Sequence, residues 1–248
     1  MVFPQLMLYP VTKRPVQRTV LNTLADGRTD LIGDASAAAM EWEIGAKGMT
    51  AAEWNSVQAL FMAASGRWQT FTFLDPVGNL LAQSENLGVS PWANGALIAL
   101  TSGVTDPLGT TRATHAVNTG AAAAAIAQTL AVPSTFQYCL SVWARTSSGS
   151  DATLVIGASS KRFSLTANWS RVSFAGSGMT FGVQIDAGAT ADLFGMQVEA
   201  QIAPSDYKKT EARGGVYTRA RFADDELMVI AQGTDLFDAV IRIVNTEN

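Results

Sequence analysis

The sequence is poor in the residues that most often build metal sites, disulfides and reactive nucleophiles. Among its 248 residues there is one cysteine, Cys139, and one histidine, His115. A single cysteine excludes a disulfide within the chain, and a single histidine excludes a zinc site built mainly from Cys and His. We therefore expect no cofactor and no chemistry that depends on a thiol or on a metal site built from Cys and His.

Charge is also sparse. Charged residues make up 15 % of the chain, the net charge is −4, and the longest run of one sign is the acidic stretch DDE at 224–226. Binding to nucleic acid needs a basic stripe to neutralise phosphates, and this sequence has none. No apolar run approaches the roughly 20 residues that span a bilayer, and the first ten residues lack the basic start of a signal peptide. The sequence predicts a protein made in the cytoplasm that binds no nucleic acid and inserts into no membrane.

Glycine and small polar residues are abundant. With 21 glycines and many Ala, Thr and Ser, the composition favours short strands joined by turns over helical bundles. A chain of this length holds one large β domain or two ordinary ones. The composition predicts a mainly β fold.

The first eighty residues predict a small α+β unit. Residues 17–24 and 37–45 alternate polar and apolar positions around an Asp-Gly turn, which is typical of a hairpin or of a pair of neighbouring strands in a sheet. Residues 50–65 then change to a helical period, with Thr50 and Glu53 spaced as a capping box and Gly66 placed to end the helix in a left-handed conformation. The aromatic segment RWQTFTFLD that follows predicts a strand packed on that helix.

The partner of that strand lies about 130 residues later, in the alternating segment VYTRARF. Between them the chain is turn-rich and holds eight or nine short candidate strands at about ten-residue spacing, which is typical of a sandwich or jelly roll. We read GAAAAAIAQTL as a loop leading into a strand, and Gly214 and Gly215 as a hinge. The sequence predicts an outer domain of residues 1–84 and 213–248, interrupted by a jelly roll at 85–212.

Several motifs of the outer part resemble those of phage distal tail proteins and their relatives in gene transfer agents. These motifs are FPQL and YPVTKRPVQRTV near the start, MTAAEWNSVQALFMAASGRWQTFTFLDP through the helix and strand, and ARFADDEL near the end. The insert resembles the carbohydrate-binding-type jelly rolls of phage structural proteins through ENLGVSPW, DPLGTTRATHAV, QTLAVPSTFQYCLSVWAR, NWSRVSF and LFGMQVEAQIAPSDYKKT.

The resemblance implies a role in a phage tail tip. It implies that the outer domain, a β-sandwich or barrel-like sheet with one helix, forms a ring, usually of six copies, that joins the tail tube to the hub or baseplate. It implies that the jelly roll projects outward and contacts host-surface glycans. The galectin-like module of many distal tail proteins is C-terminal, whereas here the extra domain interrupts the ring domain.

Tryptophans in the insert are candidates for sugar stacking, because an aromatic face suits the C–H surface of a pyranose. Trp92, Trp143 and Trp169 are the candidates, and the alternative is that each packs in the sandwich core. We take Trp143 with Arg145, two residues apart on one strand face, as the predicted glycan contact. Alternation alone leaves open which face is inside.

Other clusters have plainer interpretations. Lys13, Arg14 and Arg18 form a small basic patch that is either solvated or an assembly contact in a ring. The carboxylates at 224–226 are either a solvated turn or a calcium or acid/base site. His115 and Cys139 lack neighbouring nucleophile motifs, so we interpret both as structural.

Three functions remain open at this stage. The first is a ring-forming tail component at the tip of the virion, whose symmetric assembly is its function. The second is a host-adhesion protein that binds polysaccharide with many weak sites. The third, a glycan-degrading enzyme, is disfavoured because no nucleophile motif is present, and we expect no enzymatic activity.

Overall fold

The computed structural model describes residues 1–6, 9–147 and 149–246, and for residues 35–38 only the backbone. The fold is mainly β, with 51 % of residues in strands and one helix among the described residues, which confirms the predicted fold class. No helix in the described ranges is long and apolar enough to cross a membrane. The elements are, in chain order, β1 (Val11–Thr23), β2 (Thr29–Met49), α1 (Ala51–Ala64), β3 (Phe71–Leu74), β4 (Ala93–Asn94), β5 (Ile98–Val104), β6 (Ala113–Asn118), β7 (Ala124–Thr129), β8 (Gln137–Arg145), β9 (Asp151–Ile156), β10 (Ser159–Ser164), β11 (Ser170–Ser177), β12 (Thr180–Ile185), β13 (Thr190–Glu199), β14 (Val216–Phe222), β15 (Val229–Gly233) and β16 (Leu236–Asn245).

The chain divides into two compact units. The outer unit consists of Met1–Phe73 and Tyr217–Asn248, of which the last two residues lie outside the described part, and the inserted unit is Leu74–Val216. The predicted boundaries at 84/85 and 212/213 therefore fall within the inserted unit. The physical reason is that Leu80 and Leu81, which precede the predicted boundary, are buried in the core of the inserted unit.

The outer unit is built on one six-stranded sheet with the order β1-β2-β16-β14-β3, and β15 pairs with β16. The strands β14 and β3 are neighbours, as the sequence predicts for VYTRARF and FTFLD. The β1–β2 hairpin is also confirmed, with Val11 opposite Ile44 at one end and Thr23 opposite Thr29 at the other. The sheet does not close into a barrel in the described part of the chain.

Helix α1 begins and ends where the sequence predicts. Thr50 accepts a hydrogen bond from the Glu53 backbone N–H, and the Glu53 carboxylate accepts one from the Thr50 N–H at 2.9 Å, which completes the capping box. At the other end both Ser65 (φ 52°) and Gly66 (φ 62°) adopt the left-handed conformation. The buried face of the helix holds Trp54, Val57, Leu60 and Ala64, which pack with sheet residues including Trp42, Phe71, Phe73, Phe222, Ile241 and Ile243.

The inserted unit is a sandwich of two antiparallel five-stranded sheets. The first sheet has the order β10-β9-β12-β7-β4 and the second has the order β11-β8-β13-β6-β5. Side chains that alternate inward from both sheets form one hydrophobic core. The alanine-rich segment leads into the strand β7, as predicted, and the side chain of Ile126 in that strand is fully buried.

Gly214 and Gly215 pack tightly, which corrects their interpretation as a hinge. A Cβ atom added to Gly214 would lie 2.0 Å from the backbone oxygen of Leu80. The Gly215 N–H donates to the Asn79 oxygen at 2.8 Å. Glycine is needed here because two backbone segments approach too closely for any side chain.

Candidate functional site

The burial of alternate residues in strand β8 shows which of its two faces lies in the core. Its even-numbered residues Tyr138, Leu140, Val142 and Ala144 belong to the sandwich core. Side chains of a strand alternate between faces, so Cys139, Ser141, Trp143 and Arg145 lie on the outer face of the second sheet. Trp143 and Arg145 therefore share a face outside the core, and both are half-buried.

Strand pairing places a polar row across that outer face. His115 on β6 lies opposite Asp192 on β13, and Asp192 lies opposite Arg145 on β8. One Asp192 oxygen is 2.6 Å from His115 Nδ1, and the other accepts a hydrogen bond from Arg145 Nε at 2.9 Å. The guanidinium carbon of Arg145 lies 4.7 Å from the ring centroid of Trp169, which extends the row to the start of β11.

Trp143 belongs to the next row of the same face. Its backbone pairs with Phe194 on one side and with Arg171 on the other. Directly opposite side chains in an antiparallel sheet have Cβ atoms about 5 Å apart, so Arg171 borders the indole. We call Trp143 and its neighbours the platform; its members are Trp143, Trp169, Arg145, Arg171, His115 and Asp192.

A returning segment covers the rest of the outer face. The Glu199 carboxylate, whose side chain is 4 % exposed, accepts a hydrogen bond from the Ser205 N–H at 2.9 Å and forms an ion pair with Lys208 at 3.0 Å. The Tyr207 ring packs on Phe194, with centroids 5.4 Å apart. Arg171 donates to the Ser205 oxygen at 2.6 Å, so this cover forms one border of the platform.

The platform combines aromatic surface with hydrogen-bonding groups at fixed positions. Indole faces stack on sugar rings, and guanidinium groups donate to hydroxyl and carboxylate oxygens. The ion pair with Asp192 and the contact with Trp169 hold Arg145 in one orientation. Such a preorganised surface can bind a saccharide without a large entropic cost for ordering its side chains.

The platform lacks the arrangement of a hydrolase triad. His115 and Asp192 form a pair, but the described residues place no hydroxyl or thiol in a hydrogen bond with the second ring nitrogen of His115. Cys139 is buried on the same face, and burial together with the nearby Glu199 charge raises the pKa of its thiol to about 11. A protonated, buried thiol is a poor nucleophile.

The other two tryptophans that the sequence singles out have different environments. Trp92 is buried in the sandwich core, and its indole N–H donates to the Gln83 oxygen at 2.9 Å, so its role is structural. Trp169 is half-buried beside Arg145, and its Nε1 atom is buried without a hydrogen-bond partner among the described residues.

Sequence reasoning missed Asp192 and Arg171 as members of the platform. The segments ADLFGMQVEA and SRVSFAG read as strands, but nothing in either indicates that it lies next to β8. The alternation of Asp192 with the buried Leu193 does place its carboxylate on an outer face, and this was the available signal.

The three basic residues proposed for assembly have partners within the β1–β2 hairpin. Arg14 pairs with Glu41 at 2.6 Å, and Arg18 lies 3.8 Å from Asp34. Lys13 Nζ lies 6.0 Å from the ring centroid of Trp42. They are exposed and belong to an edge strand, where lysine, arginine and proline discourage unspecific strand pairing.

Two of the three carboxylates at 224–226 form ion pairs in the outer unit. Asp225 pairs with Arg67 at 2.9 Å, and Asp224 lies 3.6 Å from Arg242. No group of three or more metal-binding side chains occurs among the described residues. The geometry favours the interpretation of this run as a solvated turn.

The outer unit carries a second candidate surface, a two-stranded ribbon that we call the arm and define as residues 16–39. Strand β16 pairs with β2 only over Met40–Met49, so among the described residues no third strand pairs with the arm. Leu21 lies opposite Leu31 on one face, and Val20 lies opposite Ile32 on the other. Leu21, Leu31 and Ile32 are 66 %, 69 % and 53 % exposed.

The arm therefore exposes apolar side chains on both faces. A ribbon of two strands is marginally stable in water without a packed face. Burial of a leucine side chain contributes about 2 kcal/mol. An arm of this kind is suited to contact another molecule, and at about 3.4 Å per residue the strand from residue 16 to residue 23 is roughly 25 Å long.

No protein-family model matches the sequence, and no curated protein matches it. Among solved structures, part of the chain is similar to the C-terminal family 22 carbohydrate-binding module of Clostridium thermocellum Xyn10B, with 14 % identity over 53 % of this chain and 99 % of that one, and a TM-score of 0.39. A two-module fragment of the same xylanase in complex with xylohexaose matches with 12 % identity over 55 % of this chain, and a TM-score of 0.38.

A third similar structure comes from a phage. It is the enzymatically active domain of tailspike protein 4 of bacteriophage CBA120, with 14 % identity over 52 % of this chain and a TM-score of 0.38. The matched part spans 30 % of the xylanase fragment and 22 % of the tailspike chain. Identities this low do not transfer a function to this chain.

Proposed function

We propose that this chain is a structural component of a phage-type tail tip that assembles into a ring through its outer unit. In this proposal the ring has six copies, joins the tail tube protein to hub or baseplate proteins, and carries the inserted units as glycan-binding modules. The observation that carries the assembly function is the arm, which presents apolar side chains on both faces.

The arm supports assembly because it carries apolar side chains on both faces, and one layer of its own chain could cover only one of these faces. A neighbouring copy that receives the arm on a different surface makes a heterologous contact, and such contacts close into rings when the rotation between copies is regular. Apolar groups at the centre of an interface supply most of its affinity. The resemblance of the outer motifs to distal tail proteins agrees with this function.

Assembly is tested by mass and by imaging. We expect light scattering to give a multiple of the 26.2 kDa chain and negative-stain electron microscopy to show rings with a central hole. The variant with Leu21→Asp and Leu31→Asp should be monomeric and retain its circular dichroism spectrum. The control is Leu108→Asp, which changes a 69 % exposed leucine in the inserted unit and should leave the rings intact. Rings that persist in the arm variant would show that the arm is not the assembly surface.

We propose a second function for the inserted unit, the binding of host-surface glycans at the platform. The observation that favours it is the placement of Trp143 and Arg145 on the outer face, half-exposed and outside the core. Single-site affinity for such a shallow surface is weak, and a ring of several copies strengthens it by multivalency.

Glycan binding is tested on a glycan array with the purified protein. We expect the Trp143→Ala variant to bind about 2- to 10-fold more weakly, because one aromatic stacking surface contributes about 0.5–1.5 kcal/mol, while its melting temperature changes little. A large fall in melting temperature would instead assign Trp143 to a packing role. The Trp92→Ala variant is the contrasting case, since removal of a core tryptophan costs about 3–5 kcal/mol of stability.

A further inference from the structure

The platform has an excess of positive charge on an acidic protein. Two of the cations on this face of the sheet and its cover are paired, Arg145 with Asp192 and Lys208 with Glu199. Arg171 has no ion pair with any described residue, although the chain as a whole has a net charge of −4. The neighbouring Asp206 is exposed and makes no ion pair with it.

Arg171 is held in place by neutral groups. One of its terminal nitrogens donates to the Ser205 oxygen at 2.6 Å, and the other donates to Ser141 Oγ at 3.0 Å. These bonds fix the guanidinium plane but leave its charge uncompensated. An uncompensated, half-buried guanidinium is the group that proteins use to bind carboxylates and phosphates.

Two hydrogen-bond donors at the β11 edge of the platform also lack acceptors. Arg171 Nε and Trp169 Nε1 are buried and have no hydrogen-bond partner among the described residues. An N–H donor without an acceptor leaves its partial positive charge unneutralised, so both atoms add to the positive potential at this edge of the platform. The two residues are next-but-one neighbours at the start of β11, and they share the face on which Arg171 borders Trp143.

We propose that the platform selects acidic saccharides, with a sugar ring on the Trp143 indole and the carboxylate of a uronic or sialic acid unit beside Arg171. This inference rests on the glycan-binding function proposed above and adds to it the chemical class of the ligand. A neutral glycan would stack on the same indole but would leave the Arg171 charge without a counter-ion.

The experiment compares acidic polysaccharides with their neutral counterparts. A panel of uronate-containing and sialate-containing polysaccharides is immobilised, each beside its carboxyl-reduced form, and binding of the full chain is measured by surface plasmon resonance. We expect affinity for the acidic form to exceed that for the reduced form by about tenfold, which corresponds to about 1.4 kcal/mol. The Arg171→Gln variant should lose this preference and keep the residual binding to the reduced form.

Two further variants keep the test decisive. Arg171→Lys retains the charge and should keep most of the preference for the acidic form. Arg162→Gln removes an equal charge from the exposed outer edge of the first sheet, where Arg162 pairs with Asp151 and Asp186, and should leave the preference unchanged. If Arg171→Gln does not fold, judged by its thermal melting curve, Arg171→Met, which also removes the charge from this position, takes its place with the same expected result.

The outcomes separate this inference from the function on which it rests. Equal binding of acidic and reduced forms that still requires Trp143 would overturn the selection of acidic saccharides and leave glycan binding in place. No binding to any member of the panel or to neutral glycans on an array would overturn both. A preference that Arg162→Gln abolishes as completely as Arg171→Gln would assign it to the general charge of the protein and would overturn the role of the platform.

Discussion

The backbone N–H of Asp75 donates to the oxygen of Gly215 at 2.8 Å, so the chain enters and leaves the inserted unit at adjacent positions. Strand β3 ends just before Asp75, strand β14 begins just after Gly215, and the two strands are neighbours in the sheet of the outer unit. The insertion thus occupies the place of a short connection between adjacent strands, where insertions are tolerated best.

This geometry predicts that the outer unit folds without the insert. Replacement of residues 75–215 by a short Gly-Ser linker should leave a protein with the far-UV circular dichroism of a β-rich fold and a cooperative melting curve. In our proposal it should also retain the ability to self-associate. A product that is unfolded at every temperature would contradict the independence of the outer unit.

Close packing predicts a large effect of a small change at Gly214. The Gly214→Ala variant should be destabilised by about 2 kcal/mol or more, because a Cβ 2.0 Å from the Leu80 oxygen forces the backbone apart. Urea unfolding measures the free energy of unfolding directly. The matched control is Gly88→Ala, whose added Cβ meets no atom closer than 3.9 Å and should change stability by less than about 0.5 kcal/mol.

The hydrogen bonds to the Glu199 carboxylate predict that the protein loses stability in acid. Burial raises the pKa of this carboxyl, but hydrogen bonds from Ser205, Gln197 and Lys208 outweigh burial, so the pKa is lowered on folding. A carboxyl whose pKa is lower in the folded state stabilises the fold above its unfolded pKa of about 4.3, and this contribution disappears as the pH falls through the folded value.

Thermal melting between pH 7 and about pH 3 tests this prediction. The Glu199→Gln variant should be less stable at pH 7 by about 1–3 kcal/mol, because it removes the charge from the hydrogen bonds, and its stability should depend less on pH in the acid range. Glu211→Gln is the control, since that side chain is 79 % exposed, and it should reproduce the acid sensitivity of the parent protein. An unchanged acid slope in Glu199→Gln would exclude this carboxylate as its source.

The capping box predicts that loss of the Thr50 hydroxyl lowers the free energy of unfolding moderately. The Thr50→Ala variant removes the oxygen that accepts the Glu53 N–H, and the free energy of unfolding of the outer unit should fall by about 1 kcal/mol. Gln58→Ala changes an exposed position of the same helix and should have an effect within about 0.5 kcal/mol of zero. Equal effects of the two substitutions would show that the cap does not stabilise the helix.

The sequence by itself determines the local structure of this protein. The helix 51–64 follows from its apolar period and from Thr50 and Glu53, whose spacing alone allows the reciprocal cap. The β1–β2 hairpin and the short strands of the insert follow from two-residue alternation and from turn residues between them. These signals are local because the hydrogen bonds and side-chain periods that cause them involve residues close in the chain.

Only the tertiary structure decides which residues form the candidate site. Alternation places Trp143 and Arg145 on the same face of β8. The opposite sheet packs against the other face, and this packing decides that the pair lies outside the core. Asp192 reaches Arg145 across 47 residues and His115 across 77, and both contacts depend on β13 lying between β8 and β6. The order of strands in a sheet is fixed by packing over long chain separations, and no short segment of sequence encodes it.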